Sequence, residues 1–207
     1  MAKPTYRGFE TRILQHRNTR HEMFIPLLLR KIAFAIENKL IPGLVSERPD
    51  PMEKRVAEIL TRRGETLALA ESCTGGLLAH RLTNVPGSSD FFLFSGVTYA
   101  NQAKTDVLGV SPDTLKKHGA VHVDTAAEMA RGARLAGKAT YGLSTTGIAG
   151  PSGGTPEKPV GTVCIGVATS QKAEGRKFFF PFFDRGLNKE AFAEKAMELL
   201  LEELEKL

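Results

Sequence analysis

The chain has 207 residues, of which 42% are hydrophobic, and its formal net charge is +5. This length suffices for one well-buried core and is short for two, so a single main domain is expected. The basic excess is modest and lacks the interleaved basic and aromatic residues of single-strand binders, so we expect no nucleic-acid partner.

The two cysteines, Cys73 and Cys164, lack the spacing of a metal-binding pair. Neither a zinc site nor a disulfide framework is therefore expected, and a reducing cytoplasm fits this usage. No apolar run reaches the roughly 20 residues that a membrane span needs. The N-terminus also lacks a signal-peptide core with a small-residue cleavage site. These features predict a cytoplasmic protein with no membrane partner.

Residues 1–50 differ from the rest and are interpreted as a basic appendage, partly helical or disordered. Apolar residues recur at helical spacing within it and predict one amphipathic helix: Ile25, Leu28, Leu29, Ile32 and Ile36. That helix can dock on the main domain or on a partner, and a targeting role is the less favoured alternative. Residues 51–207 form the predicted main domain.

Within 51–207, helical and strand patterns alternate. The pattern predicts helices at 52–63, 77–82, 101–108, 112–118, 126–136 and 189–207, and strands at 67–70, 91–98, 139–144, 162–169 and 177–183. Ser111 before Pro112 and Asp184 before Arg185 are typical helix-start residues. Alternation of this kind indicates an α/β layered sheet, with ligands expected at the carboxyl ends of the strands.

A tight turn, Glu71-Ser72-Cys73-Thr74-Gly75-Gly76, joins the first strand to the next helix. Backbone N–H groups at a helix start lack intrahelical partners and carry partial positive charge. The turn can therefore hold a phosphate, or stabilise a nucleophile or oxyanion formed at Ser72 or Cys73. The alternative is a plain capped helix start, in which Ser72 or Thr74 only satisfies the first turn.

Two further polar clusters follow predicted strands. Lys104 stands about one helical turn from Tyr99, so phenol and amine can face one pocket, although a surface lysine near a partly buried tyrosine is the alternative. Residues 145–154 hold five glycines or prolines in ten positions and predict a loop that can form an anion-binding nest, with Thr145 and Thr146 at its mouth. His118 is expected to be structural or exposed, since local spacing places no carboxylate beside it.

A hydroxyl nucleophile needs a base, and no Ser-His-Asp order is visible in the sequence. A lysine desolvated enough to be neutral can take the proton, directly or through a tyrosine. The three clusters together make an amide or ester hydrolase without a metal a reasonable hypothesis.

Four ordered motifs carry a family resemblance: LALAESCTGGLLAHRLTNVPGSSDFF, SGVTYANQAK, TLKKHGAVH and STTGIAGPSGGTPEKPVGTV. Over about 52–207 the chain closely resembles the C-terminal domain of the CinA family, including the PncC-type nicotinamide-nucleotide amidases. The resemblance implies a three-layer α/β/α sandwich with a mixed, largely parallel sheet, a homodimer, and neither metal nor cofactor. It also implies hydrolysis of nicotinamide mononucleotide to nicotinate mononucleotide and ammonia, in NAD salvage.

The resemblance also implies roles for individual residues. Ser72 would be the nucleophile, Tyr99 and Lys104 would activate it, and Ser89 or Ser88 would assist. Arg185 would pair with the phosphate of the mononucleotide substrate. The other implied substrate-binding residues come from the turn and the glycine loop: Glu71, Cys73, Thr74, Gly75, Gly76, Thr146 and Gly147. Phe183 and Lys189 depart from the family pattern, where glycine and arginine are common.

Two alternatives to serine catalysis stay open. In one, Cys73 is the nucleophile, because thiolates at helix N-termini are activated. In the other, the chain is a non-catalytic nucleotide-binding or regulatory module of the competence and damage type. Residues 1–50 are too few for the molybdopterin-binding-type domain of longer CinA proteins, so the pyrophosphatase activity associated with that domain is expected to be missing.

Overall fold

A computed structural model of the protein describes residues 51–182 and 184–206. The amphipathic helix predicted between positions 24 and 36 lies outside these residues, as does Phe183. The description that follows concerns the main domain.

Five strands form one sheet in the order β2-β1-β3-β4-β5. Their bounds are Leu67–Glu71 (β1), Phe92–Val97 (β2), Tyr141–Gly147 (β3), Thr162–Ala168 (β4) and Ala173–Phe179 (β5). β1 pairs in parallel with both β2 and β3, whereas the pairings of β3 with β4 and of β4 with β5 are antiparallel. Only β4 runs against the other strands, so the predicted mixed sheet is confirmed.

Six helices of the described residues pack on this sheet: α1 Met52–Arg63, α2 Leu77–Thr83, α3 Asn101–Leu108, α4 Pro112–His118, α5 Val123–Gly137 and α6 Arg185–Leu204. The buried residues of α1, α2 and α6 share one core with one face of the sheet. Those of α3 and α5 pack on the other face, with Leu115 of α4 beside them. This arrangement is the predicted three-layer α/β/α sandwich. In 51–182 and 184–206 no helix is long and apolar enough to cross a membrane.

The side chains of β1 show why the hydrophobic cores on the two faces of the sheet differ in size. Its large side chains, Leu67 and Leu69, enter the thicker core with α1 and α6, and its alanines face α5. Burying one such leucine stabilises the fold by about 1.5–3 kcal/mol.

Helix α5 lies very close to the sheet, because three glycines stand under it on adjacent strands: Gly142, Gly166 and Gly175. A Cβ at any of them would lie 2.0–2.2 Å from a carbonyl oxygen of α5.

Three predicted boundaries are wrong. β3 continues through Gly147, because residues 145–147 still pair with β4, and this removes three residues from the predicted glycine loop. β5 covers 173–179 rather than 177–183, since its polar first half pairs with β4 from Ala173 onward. Helix α6 begins at Arg185 rather than 189, because the Asp184 carboxylate accepts the N–H of Leu187 at 2.8 Å and starts the helix there.

Candidate active site

The carboxyl ends of β1, β2 and β3 bring the first catalytic candidate into place. Ser72 directly follows β1, and its N–H donates to the carbonyl of Thr145 on β3 at 2.9 Å. On the other side, the N–H of Thr98 donates to the carbonyl of Glu71 at 2.9 Å. These bonds extend the parallel pairing past β1, so Ser72 lies between the ends of its two neighbouring strands.

Lys104, the fourth residue of α3, reaches Ser72 from within the protein. Its side chain is 1% exposed. The amine Nζ lies 2.7 Å from the carbonyl oxygen of Thr98, 3.2 Å from that of Tyr99, and 3.2 Å from Ser72 Oγ. A neutral amine has two N–H donors and one lone pair, and the two carbonyls occupy two such donors. The lone pair of a neutral Lys104 would then face the Ser72 hydroxyl.

Burial lowers the proton affinity of this amine. The pKa of Lys104 is lowered from its ordinary value of 10.5, because burial disfavours the ammonium form. The surroundings therefore favour a lysine that can accept a proton. The structure brings Ser72 and Lys104 into direct contact, as the placement of both motifs at the carboxyl ends of strands led us to expect.

The neighbouring Cys73 has a different environment. Its thiol is buried, and burial raises its pKa from 9.0 to about 12. The sulfur also lies close to Gly147 on β3. A Cβ added at that glycine would be 3.2 Å from Sγ. A thiol with so high a pKa stays protonated at neutral pH, which disfavours Cys73 as the nucleophile.

The N-terminus of α2 is already occupied by the chain's own carboxylate. Glu71 is fully buried and accepts hydrogen bonds from the Thr74 hydroxyl at 2.7 Å and from the N–H groups of Gly76, Leu78 and Ala79 at 2.9, 3.2 and 2.9 Å. The cap is thus Glu71, and not Ser72 or Thr74 as the plain alternative supposed. Glu71 thus takes the N–H groups of Gly76, Leu78 and Ala79, so the start of α2 does not offer the predicted phosphate site.

A cavity of about 270 Å³ opens beside Ser72. Seven of the predicted site residues line it: Ser72, Cys73, Tyr99, Lys104, Thr146, Gly147 and Arg185. The glycine loop adds Gly150 and Gly153 to the lining. A larger groove of about 840 Å³ lies between α1 and residues 84–91, and none of the predicted catalytic residues lines it.

Tyr99 and Arg185 meet at the exposed end of this cavity. Arg185 donates through Nη2 to the Tyr99 phenol at 3.1 Å and through Nη1 to the Gly150 carbonyl at 2.6 Å. Tyr99 is 62% exposed, and its phenol is not hydrogen-bonded to Lys104 or Ser72. Among residues 51–182 and 184–206, no carboxylate pairs with Arg185, so its charge is available to an anionic ligand.

Several predicted residues lie outside the cavity lining. Ser88 and Ser89 belong to a 3-10 turn, Ser88–Asp90, and do not reach it. The same is true of Glu71, Thr74, Gly75 and Gly76, whose place is the turn and start of α2. Of these residues, Glu71 and Thr74 order the turn that carries Ser72, through hydrogen bonds to each other and to Thr145 on β3.

Ala120 and Val121 line the cavity and were missed from sequence. The Thr146 hydroxyl donates to the Ala120 carbonyl at 2.8 Å and holds this segment against β3. The only sequence signal for them is their position inside the motif TLKKHGAVH, because alanine and valine carry no chemistry of their own. The lysine-binding carbonyls of Thr98 and Tyr99 were equally invisible in the sequence.

His118 has a neighbour that the local sequence does not show. A carboxylate does lie beside it, since Asp124 Oδ2 is 3.5 Å from His118 Nε2. The turn after Gly119 brings the last residue of α4 back onto the first turn of α5, which local spacing did not reveal.

Comparison with known proteins matches most of this chain to one family. Residues 49–204 match the family described as "CinA C-terminal domain". The "CinA-like protein" of Desulfosudis oleivorans is 58% identical over 153 residues, which cover 74% of this chain and 37% of that protein. The "CinA-like protein" of Chlorobaculum tepidum is 51% identical over 183 residues, 86% of this chain and 43% of that protein. The chain therefore spans well under half the length of these relatives.

Solved structures give the same result. The competence/damage inducible protein CihA from Agrobacterium tumefaciens is 38% identical with a TM-score of 0.69, covering 76% of this chain and 98% of that one. A competence-damaged protein (CinA) superfamily protein from Escherichia coli is 30% identical with a TM-score of 0.70, covering 80% and 95%.

Proposed function

This chain belongs to the CinA family, and on that premise we propose that it is a metal-independent nicotinamide-nucleotide amidase. It would hydrolyse the carboxamide of nicotinamide mononucleotide to nicotinate mononucleotide and ammonia, as a step of NAD salvage. The proposed enzyme is a homodimer, as the family resemblance implies, and it is cytoplasmic, as the cysteine usage indicates.

One observation carries the proposal: the Ser72 hydroxyl lies 3.2 Å from a buried amine that two carbonyls orient. In the proposed reaction neutral Lys104 takes the Ser72 proton while Oγ attacks the carboxamide carbon. The tetrahedral intermediate collapses with the C–N bond breaking, and the Lys104 ammonium returns the proton to the departing ammonia. Water then attacks the acyl-serine with Lys104 again as the base; the bond between the acyl carbon and Oγ breaks, the Lys104 ammonium returns the proton to Ser72 Oγ, and nicotinate mononucleotide leaves.

The developing oxyanion needs N–H donors beside the nucleophile. The backbone N–H groups of Cys73 and Thr74 donate to no other residue of the described chain. Donation from the residue after the nucleophile is a recurring arrangement in hydrolases. Removing one such donor from a hydrolase costs about 10²–10³ in kcat. We propose that Cys73 contributes this N–H rather than its thiol.

Substrate binding falls to the other end of the cavity. The guanidinium of Arg185 has a planar fork of donors that suits a phosphate, and no carboxylate of the described residues competes for it. Thr146 and Gly147 also line this cavity. A substrate with a reactive amide at one end and an anionic group at the other fits this division.

The test measures ammonia release from nicotinamide mononucleotide by wild type, Ser72→Ala and the control Ser170→Ala. Ser170 is an exposed serine after β4, outside the cavity. We expect wild type and control to be alike and Ser72→Ala to lose at least about 10³-fold in kcat, since loss of a serine nucleophile removes the covalent route. An unchanged rate in Ser72→Ala would refute the assignment. Tight binding by wild type in calorimetry without any ammonia would instead support a nucleotide-binding or regulatory module.

A further inference from the structure

Asn188 is a polar residue of α6 that the proposed reaction does not use. Its side chain is fully buried. The amide Nδ2 donates to two backbone carbonyls at 3.0 Å each, that of Ala149 in the glycine loop between β3 and β4 and that of Phe182 just before α6. The contact with Ala149 spans 39 positions of the chain. Asn188 therefore ties the glycine loop to the segment that leads into α6.

The two donations determine which way this amide faces. The reversed amide would direct Oδ1 at both carbonyl oxygens, with no hydrogen between them. With Nδ2 on the carbonyls, Oδ1 is buried and has no donor among residues 51–182 and 184–206. A buried acceptor without a donor costs free energy of folding, so packing alone does not explain an asparagine at this position. The two donated hydrogen bonds do explain it.

Arg185 depends on the same two contacts. Its guanidinium donates to the Gly150 carbonyl at 2.6 Å, and the adjacent carbonyl of the loop, that of Ala149, is the one that Asn188 holds. The backbone of Arg185 begins α6, shortly after the Phe182 carbonyl. Asn188 thus holds the loop that anchors the guanidinium and also the chain that carries Arg185 into the helix.

These contacts reach the candidate active site through the loop. Ala149, Gly150 and Arg185 line the cavity beside the Ser72 hydroxyl, whereas Asn188 does not. Within the described part of the chain, the carbonyls of Ala149 and Gly150 accept hydrogen bonds from α6 alone. Without the Asn188 amide, this part of the loop would shift against α6, and the guanidinium that is bound to it would shift as well.

We propose that Asn188 is a positioning residue, which holds the glycine loop and Arg185 in the arrangement that receives the anionic end of the substrate. Because Asn188 does not line the cavity, its substitution should weaken binding and leave bond cleavage at Ser72 and Lys104 intact. The inference rests on the proposed function for the identity of the ligand. The hold of Asn188 on the loop is measurable without any ligand.

The first test measures hydrogen exchange by NMR in the ligand-free full-length chain, in wild type, Asn188→Leu and the control Leu200→Ala. Leucine has the branched shape of asparagine but cannot donate. Leu200 is buried further along α6, so its truncation destabilises the same helix without removing a contact to the loop carbonyls. The N–H groups of Ile148 and Gly161 report on the loop, because their hydrogen bonds, both 2.8 Å long, close its base.

We expect these two N–H groups to exchange at least about tenfold faster in Asn188→Leu than in Leu200→Ala, because the loop loses a hydrogen bond and opens locally. Equal exchange in wild type and Asn188→Leu would overturn the proposal. Where the leucine variant does not fold, Asn188→Ala takes its place, since alanine favours the helix and also removes the amide.

The second test measures KM and kcat for nicotinamide mononucleotide, and Kd for nicotinate mononucleotide by calorimetry, in Asn188→Leu, Arg185→Met and the double variant. Asn188→Leu should raise KM and Kd by about tenfold and retain kcat, whereas Leu200→Ala should keep the wild-type values. The double variant should resemble Arg185→Met alone, because a residue that acts through the guanidinium has no further effect once it is gone.

Two results of the second test would overturn the proposal: effects that multiply in the double variant, or a fall in kcat at unchanged KM in Asn188→Leu. If wild type neither binds nor hydrolyses the nucleotide, the proposed function fails. The exchange of Ile148 and Gly161 then still decides whether Asn188 positions the loop.

Discussion

The two ends of the cavity differ in burial and charge. At one end Lys104 is enclosed, with its amine held by two carbonyls and directed at Ser72. At the other end Arg185 lies exposed, bonded to a phenol and a carbonyl but to no carboxylate of the described chain. A buried amine tends to lose its charge, whereas an exposed guanidinium keeps it. The difference suggests that bond cleavage and substrate capture are assigned to separate ends.

Tyr99 connects these two ends. Its carbonyl accepts from Lys104, while its phenol accepts from Arg185. The family resemblance implied that Tyr99 would help to activate Ser72, but its phenol contacts Arg185, and its backbone carbonyl holds the Lys104 amine instead. A substitution of Tyr99 would therefore disturb the surroundings of both Lys104 and Arg185. The difference between the two ends is tested better by substituting Lys104 and Arg185 themselves.

The largest effect is expected at the buried end. Lys104→Met should lower kcat by about 10²–10⁴-fold, the usual contribution of a general base, with little change in KM. Methionine fills the space but leaves two carbonyls without a donor, so urea unfolding must accompany the assay. Lys104→Arg is the matched variant, because arginine keeps N–H donors for the two carbonyls but is always charged and cannot act as a base. Full activity in Lys104→Arg would contradict the role of a neutral amine.

A smaller effect of another kind is expected at the exposed end. Arg185→Met should raise KM for nicotinamide mononucleotide by about 10- to 100-fold and largely retain kcat, since a hydrogen bond to a charged group contributes about 1.5–3 kcal/mol. Nicotinamide riboside, which lacks the phosphate, should have the same KM with wild type and variant. Arg176→Met is the control, because Arg176 is an exposed arginine on β5 that pairs with Glu202. A fall in kcat at constant KM would remove the distinction between the two ends.

The smallest effect is expected at Cys73, next to the nucleophile. Because burial raises the pKa of this thiol to about 12, it should not react with iodoacetamide at neutral pH. Cys73→Ala should keep kcat within about threefold of wild type, a change in barrier of under about 1 kcal/mol. Loss of turnover both in Cys73→Ser and after alkylation would identify the thiol as the nucleophile instead.

Much of the fold could be predicted because local pattern and tertiary structure agree. Leu67 to Ala70 read as a buried strand, and every residue of β1 is buried. The inner face predicted for the last helix is also correct, since Phe192, Leu200 and Leu204 are buried there. β5 was misplaced because aromatic residues after 177 look more strand-like than the polar stretch that pairs with β4. Pairing with a neighbouring strand sets the bounds of such an edge strand, and the sequence alone does not reveal that pairing.

The site was predictable only in its residue types. The motifs led to Ser72 and Lys104, whose contact spans 32 positions. They did not reveal that Glu71 caps α2, or that Arg185 meets Tyr99 across 86 positions. Glutamate in such a motif looks like a ligand, and its burial against three N–H groups emerges only once α2 is folded. Partners of charged groups depend on distances that spacing along the chain does not encode.

The most direct test of the central claim is the pKa of the Lys104 amine itself. It can be measured by NMR titration of the ¹³Cε-labelled lysines, with the Lys104 signal assigned by its absence in Lys104→Met. The account predicts a pKa below the ordinary 10.5, and a kcat/KM that rises with pH through that value, because the deprotonated amine is the active form. A Lys104 that titrates at or above 10.5, with a rate that does not follow it, would contradict the account.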